Sequence, residues 1–352
     1  MTDAIDCDLH PTLPGLSALV PYLAPLWQET MVRRGFDEML SIAYPANAPL
    51  TVRADWRDAK GQAASTPERL RAEAMTPFGT GTAILNCLYG AQVLFSDDLA
   101  GVFCRAVNDW VAATFLDRDP GFRASVVVPM TNPELAAAEI EHRAADPRFV
   151  QVLLLVGGEI PAGRRQNWPI YEAAARHRMP VGIHAGSLYR HPTTPVGWAS
   201  SFTEDYVSQA GAFASTLTSL VAEGVFAKFP DLTVVLLESG VSWLPAHLWR
   251  LTKFWKGLRS EIPWVSDPPT TIVRERVRLS LQPFDVTGDA AQVARLIDHL
   301  GSDEMLLFST DYPHWQFDGA AALPDGLDAR LVRKIMVENP LRTYPRLRES
   351  TP

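Results

Sequence analysis

Four places in the chain put an acid or an imidazole straight after an apolar run. Asp6, Asp8 and His10 alternate along Ile5–His10. His184 closes Val181-Gly182-Ile183, and Glu238 closes Val234–Leu237. Asp311, with His314 three residues on, follows Met305-Leu306-Leu307-Phe308. Residues two apart on a strand face the same way, so Asp6, Asp8 and His10 share a face. Three ionisable groups on one buried stripe repel each other and lose hydration unless a cation or a proton compensates. The chemistry on offer is metal binding by carboxylate and imidazole, with acid–base work by the same groups. Candidate ligands are Asp8, His10, His184, Glu238, Asp311 and His314. Candidate catalytic groups are Asp311, Glu238 and His314. Asp6 sits a layer deeper, as a structural group.

The elements that must position these residues are short apolar strands. Eight such runs recur: 4–8, 82–88, 122–128, 149–156, 180–184, 232–238, 277–281 and 305–309. Most are continuously apolar, as parallel strands covered on both faces are. Helical patterns separate them, several with clear starts, such as Asn132-Pro133-Glu134 with Asn at the N-cap and Pro at N1. Eight strands alternating with helices predict an α/β fold, a (β/α)8 TIM barrel whose active site lies at the carboxyl ends of the strands. An open doubly wound sheet wants a glycine-rich phosphate loop after its first strand, and Leu9-His10-Pro11-Thr12 is not one. The whole chain, 1–352, reads as one barrel, with 11–77 inserted after strand 1 as a lid or cap, or as packing on the exterior. The loop after the fifth strand is long too. It offers Tyr189, His191, Trp198 and Phe202 as pocket walls, joined by Trp315.

Composition narrows the partners. Apolar residues make up 47% and charged residues 20%, an ordinary globular balance. A net charge of −8 argues against nucleic acid and anionic membranes as partners and leaves a small-molecule substrate. Three cysteines without a framework suit a reducing compartment. The start, with Asp3, Asp6 and Asp8, lacks the cationic and apolar regions of a signal peptide, and no apolar run approaches the ~20 residues of a bilayer span. The expected location is the cytoplasm. A Trp-rich segment, 243–264, either packs at a homodimer interface or caps the barrel.

Several segments together resemble the amidohydrolase-related family, in the branch of aminocarboxymuconate-semialdehyde decarboxylase and the resorcylate decarboxylases. They are Asp6–His10, Trp168–Ala174, Ile183–Gly186, Phe229–Leu232, Glu238–Pro245 and Ser309–Trp315, and the resemblance runs from Ile5 to about Tyr344. It implies a TIM barrel holding a divalent metal through residues after strands one, five and eight. The family's first-strand His-x-His falls on Asp8-Leu9-His10, its strand-five histidine on His184 and its strand-eight aspartate on Asp311. The strand-six histidine falls on Glu238. The fourth run ends Leu155-Val156-Gly157-Gly158, so the bridging lysine of binuclear members is absent. Mixed carboxylate and imidazole ligands suit zinc, iron or manganese. One ion is the simpler pattern; two, bridged by Glu238 or Asp8, form the rival.

Two reactions fit such a site. In hydrolysis of an amide, ester, thioester or lactone, a metal-activated water attacks and Asp311 or Glu238 takes the proton. In non-oxidative decarboxylation of a small aromatic or unsaturated acid, a proton donor serves the carbon that loses carbon dioxide. The expectation leans to hydrolysis on two grounds. The histidine used by the related decarboxylases is Glu238 here, and a carboxylate repels an anionic substrate. A decarboxylase could instead recruit His314 or His191 as its acid. A third reading, from another class, is a metal-free binding or assembly protein on a dead barrel.

Overall fold

The computed structural model describes residues 4–36, 52–286, 289–314 and 322–349. Eight parallel strands run in chain order around one sheet: β1 (Ala4–Leu9), β2 (Thr80–Leu85), β3 (Phe122–Val127), β4 (Phe149–Gly157), β5 (Val181–Ser187), β6 (Val234–Leu237), β7 (Val277–Ser280) and β8 (Leu306–Leu307). β8 returns to β1 through three backbone bonds, Cys7 N–H to Phe308 O (2.9 Å), Asp311 N–H to Asp8 O (3.0 Å) and His10 N–H to Tyr312 O (2.9 Å). The sheet therefore closes, and the fold is a TIM barrel.

Helices cover the outside because the strands turn apolar side chains outward. β4 reads Phe149-Val150-Gln151-Val152-Leu153-Leu154-Leu155-Val156-Gly157, and all but its last residue is buried. Phe103, Phe115, Phe122, Phe149 and Phe213 fill the layer between barrel and helices. Helix starts follow their caps. Ser96 Oγ accepts from Leu99 N–H and Asn132 Oδ1 from Leu135 N–H, while Asp289 and Asp328 cap later helices in the same way. The long helix after β5 begins at Phe202, because Ser201 caps it, and breaks at Gly224, which takes φ +80° between Phe202–Ala222 and Val225–Lys228.

The absence of a span-length apolar stretch needs correcting. Among the described residues one helix, Asp97–Leu116, is long and apolar enough to cross a bilayer. Its apolar side, with Phe103, Val107, Trp110 and Phe115, is buried in the protein core.

Between β1 and β2 the described part of the long insertion leans on the segment after β8. Val52 and His314 form an antiparallel bridge, Arg53 N–H donates to Pro313 O (3.2 Å), and the rings of Trp56 and Tyr312 lie 4.7 Å apart. The Tyr312 hydroxyl donates to Glu73.

Candidate metal centre and active site

The carboxyl ends of β1, β5, β6 and β8 bring all six candidate ligands together. Asp8 and Asp311 are fully buried, and His10, His184 and Glu238 nearly so. Two overlapping groups have ligand atoms within 4.8 Å of one another: Asp8, His10 and His184, and His10, Glu238, Asp311 and His314. Glu238 and Asp311 both take left-handed backbone angles, φ +54° and +55°. For side chains with a Cβ this conformation carries a cost of order 1–3 kcal/mol, and such strain clusters at functional sites.

The histidines reveal what the cluster lacks. His10 Nδ1 lies 2.9 Å from the Asn86 carbonyl oxygen, and His184 Nδ1 lies 2.7 Å from that of Ala185. A carbonyl oxygen only accepts, so each Nδ1 carries the proton and each neutral ring turns an Nε2 lone pair into the cluster. His10 Nε2 then faces Asp311 Oδ1 at 3.0 Å and Asp8 Oδ1 at 3.3 Å. His184 Nε2 faces Asp8 Oδ2 at 3.7 Å and Glu238 Oε1 at 3.9 Å. Lone pairs thus point at lone pairs. Asp8 Oδ2, Asp311 Oδ2 and His184 Nε2 are buried without any hydrogen-bond partner. Buried acceptors from three strand ends converging on one space fit a divalent cation.

Proton affinities carry the same sign. Burial, then the charges of Asp311 and Glu238, push the Asp8 carboxyl well above its ordinary range. Burial lowers His10 to about 3, with help from the charge on His314, and lowers His184 to about 4. His314 is the exception. Burial opposes its charged form, but Asp311 and Glu238 outweigh burial and hold the imidazolium well above its usual range. Its Nδ1–H reaches Asp311 Oδ1 at 2.6 Å and Glu238 Oε1 at 2.7 Å, and its ring stacks on His10 at 4.5 Å. Asp6 is tied instead to the segment after β8, accepting from the Thr310 hydroxyl (2.6 Å) and Thr310 N–H (3.1 Å). Burial raises its carboxyl to about 7 despite the Thr310 bond.

The expected pocket residues are distributed along the β5 loop and the helix after it. The Tyr189 hydroxyl donates to Asp205 Oδ2 (3.1 Å). His191 lines an open groove of about 960 Å³ beside the helix 202–222. Trp198 is half exposed, and Phe202 packs on Tyr206 with ring centroids 5.5 Å apart. Trp315 lies outside the described residues.

Residues not singled out in the sequence support the ligands from behind. Asn86 Nδ2 donates to Asp8 Oδ1 (2.8 Å), and Ser125 Oγ donates to Asn86 Oδ1 (2.6 Å). Ser280 Oγ accepts from Glu238 N–H (2.9 Å). Asp285 accepts from Val241 N–H (2.8 Å) and Ser242 N–H (3.0 Å), pinning the turn after Glu238. The available signal was partial: Gln151 is the single polar residue of β4, whereas Ser125 and Ser280 share their strands with Arg123 and Arg278, and Asn86 follows a strand that carries Thr80 and Thr82.

The family model described as amidohydrolase matches residues 5–346. The chain belongs to the amidohydrolase family. A gamma-resorcylate decarboxylase of Polaromonas sp. is 26% identical over 289 residues, covering 76% of this chain and 83% of the relative. A second, from Rhodococcus jostii, is 28% identical over 233 residues, covering 62% and 68%. Among solved structures, an amidohydrolase from Mycobacterium avium subsp. paratuberculosis superposes with a TM-score of 0.72 at 22% identity, covering 97% of each chain. A Polaromonas dihydroxybenzoic acid decarboxylase with bound manganese and 2-nitroresorcinol superposes at 0.68 with 21% identity, covering 99% of each.

These relatives correct the expectation of hydrolysis, since the curated ones are carboxy-lyases. Both grounds for that expectation give way on inspection of the site. An imidazole does stand beside the strand-six position, because His314 reaches Glu238 from the β8 loop, and the contact pairs the Glu238 charge that was expected to repel an anion.

Proposed function

We propose that this amidohydrolase-family chain is a metal-dependent, non-oxidative decarboxylase of a small aromatic carboxylic acid. The carrying observation is the pair of histidines that commit Nδ1–H to backbone carbonyls and turn Nε2 toward three buried carboxylates. The relatives that act on gamma-resorcylate support the reaction type.

Asp8, His10, His184 and Asp311 would hold the ion. His10 has one free nitrogen, and both ligand groups draw on it, which favours one ion over two. The carboxylate-rich donor set suits manganese, the ion in the Polaromonas structure. Bound there, a divalent ion supplies positive charge to offset the clustered carboxylates and an anionic substrate.

The protein's own groups handle the proton. His314 Nδ1–H is engaged by Glu238 and Asp311, which fixes the ring and leaves Nε2–H to serve the substrate. The proton passes from Nε2 to the ring carbon bearing the carboxylate. The bond from that carbon to the carboxylate then breaks, its electron pair stays with the ring, and carbon dioxide departs. Glu238 and Asp311 hold the imidazole ready to be reprotonated. The insertion carrying Val52 and Trp56, seated on Tyr312–His314, walls this side of the site and keeps water from it.

The test is carbon dioxide release from 2,6-dihydroxybenzoate and 5-carboxyvanillate by manganese-loaded protein, with acyl esters and amides run in parallel. Decarboxylation of an aryl acid that stops on chelation is the expected result. Ester or amide turnover without carbon dioxide from any aryl acid refutes the reading.

A further inference from the structure

We infer that Asn86 is the positioning residue that sets up both ligands of β1, a reading that rests on Asp8 and His10 as metal ligands. Asn86 follows β2 and is fully buried. It grips β1 and the residue after it at four points. Its N–H donates to Leu9 O (2.8 Å), its carbonyl accepts from His10 Nδ1–H (2.9 Å), and its Nδ2 donates to Asp8 Oδ1 (2.8 Å) and to Cys7 O (3.4 Å). The second contact selects the His10 tautomer, so that Nε2 is free to bind. The third occupies one oxygen of Asp8 and turns the other, Oδ2, toward the space it shares with His184. One residue thus decides which atom of each ligand faces the ion.

The Asn86 amide is itself held in one orientation. Its Oδ1 accepts from the Ser125 hydroxyl (2.6 Å) and from Gln151 Nε2 (3.3 Å), so Nδ2 must be the end that meets Asp8. Gln151 Nε2 also donates to Ser125 Oγ (2.9 Å), and Gln151 Oε1 accepts from the Tyr344 hydroxyl (3.0 Å). Every donor in the series Tyr344, Gln151, Ser125, Asn86 points toward Asp8, and aligned hydrogen bonds polarise one another. Gly182 leaves the room this requires, since a Cβ there would fall 2.6 Å from the Gln151 amide carbon. With aspartate in place of histidine at the first ligand position, the carboxylate needs this aligned donor to stay oriented.

The test uses the full chain and manganese alone. Affinity is read by competition with a fluorescent chelator, and the ligand field by electron paramagnetic resonance of the bound ion. Asn86→Asp keeps the backbone contacts but faces Asp8 with an acceptor, and should weaken binding about 10- to 100-fold, as lost partners behind a ligand do. Ser125→Ala frees the amide without touching β1 and should give a smaller loss in the same direction, with an altered resonance spectrum. If Asn86→Asp misfolds, Ser125→Ala alone decides. Both variants binding manganese within about twofold of wild type with an unchanged spectrum, while Asp311→Ala binds it about a hundredfold more weakly, overturns the role of Asn86 alone. A wild-type chain that binds no manganese overturns the ligand reading and this inference with it.

Discussion

Removing the metal should lower stability by an amount that the site and the chain length together set. In the stripped protein, Asp8 Oδ2, Asp311 Oδ2 and His184 Nε2 remain buried without partners. The folded state alone gathers these acceptors into one space, so a divalent ion bound there would stabilise it. At free manganese about one hundred times the dissociation constant, linkage gives about 2.7 kcal/mol. A chain of 352 residues unfolds with an entropy of about 0.7 kcal/mol per kelvin, so the melting temperature should rise by about 4 °C. Asp311→Ala removes an acceptor from the shared space. If it weakens binding about a hundredfold, only about 0.4 kcal/mol and under about 1 °C remain at the same manganese concentration. Differential scanning calorimetry of chelator-treated wild type and Asp311→Ala, each with and without manganese, reads both numbers. Equal shifts in the two proteins would place the stabilising ion on the acidic surface and refute the reasoning.

Three further outcomes can be checked independently. His314→Gln should cut decarboxylation by about 10²- to 10⁴-fold, the usual range for a lost proton donor, while manganese affinity by chelator competition changes far less. Burial raises the Asp119 carboxyl, but the paired bonds from Arg71, the Gly121 N–H and the Arg71 charge together hold it below its ordinary value of 3.8. A carboxyl lowered in the folded state stabilises above pH 3.8, and that contribution disappears as pH falls through the folded value. Asp119→Asn should therefore cost about 1 kcal/mol at pH 7, the upper end for a partly exposed pair, and nothing near pH 2, read by urea denaturation at both pH values. In Gly163→Ala the new Cβ would lie 2.1 Å from the Ser219 carbonyl oxygen, a backbone atom of the helix 202–222. Overpacking of this kind costs about 3 kcal/mol, visible as a lowered urea midpoint with an unchanged slope.

The barrel was legible because most strands are dense apolar runs, and parallel burial erases the ambiguity of alternation. β8 is only Leu306–Leu307, and pairing with β1 runs on past it through Asp311 N–H to Asp8 O, a continuation invisible in sequence. The ligands were legible for the same reason as the strands: a charged residue ending a buried run must find compensation. Asn86, Ser125 and Gln151 carry no charge and share no motif. Only the register between β2, β3 and β4 puts them in one line.

Glu238 shows why a ligand pattern read position by position misleads about chemistry. In sequence the strand-six histidine is missing, and hydrolysis follows from its loss. On the proposed mechanism the requirement in space is an imidazole near that strand end, not on it. The left-handed turn at Asp311 carries the β8 loop back over the barrel mouth and sets the His314 ring between Asp311 and Glu238. The carboxylate at 238 then becomes the group that orients an imidazole supplied from the next-but-one strand. Exchanging the pair should expose this dependence. Glu238→His alone places a second imidazole against His314 and removes a charge partner, so turnover should fall. Glu238→His with His314→Gln restores one imidazole near the strand-six end, and should recover part of the rate. No recovery in the double variant, with manganese still bound, would mean that the position of the imidazole matters as much as its presence.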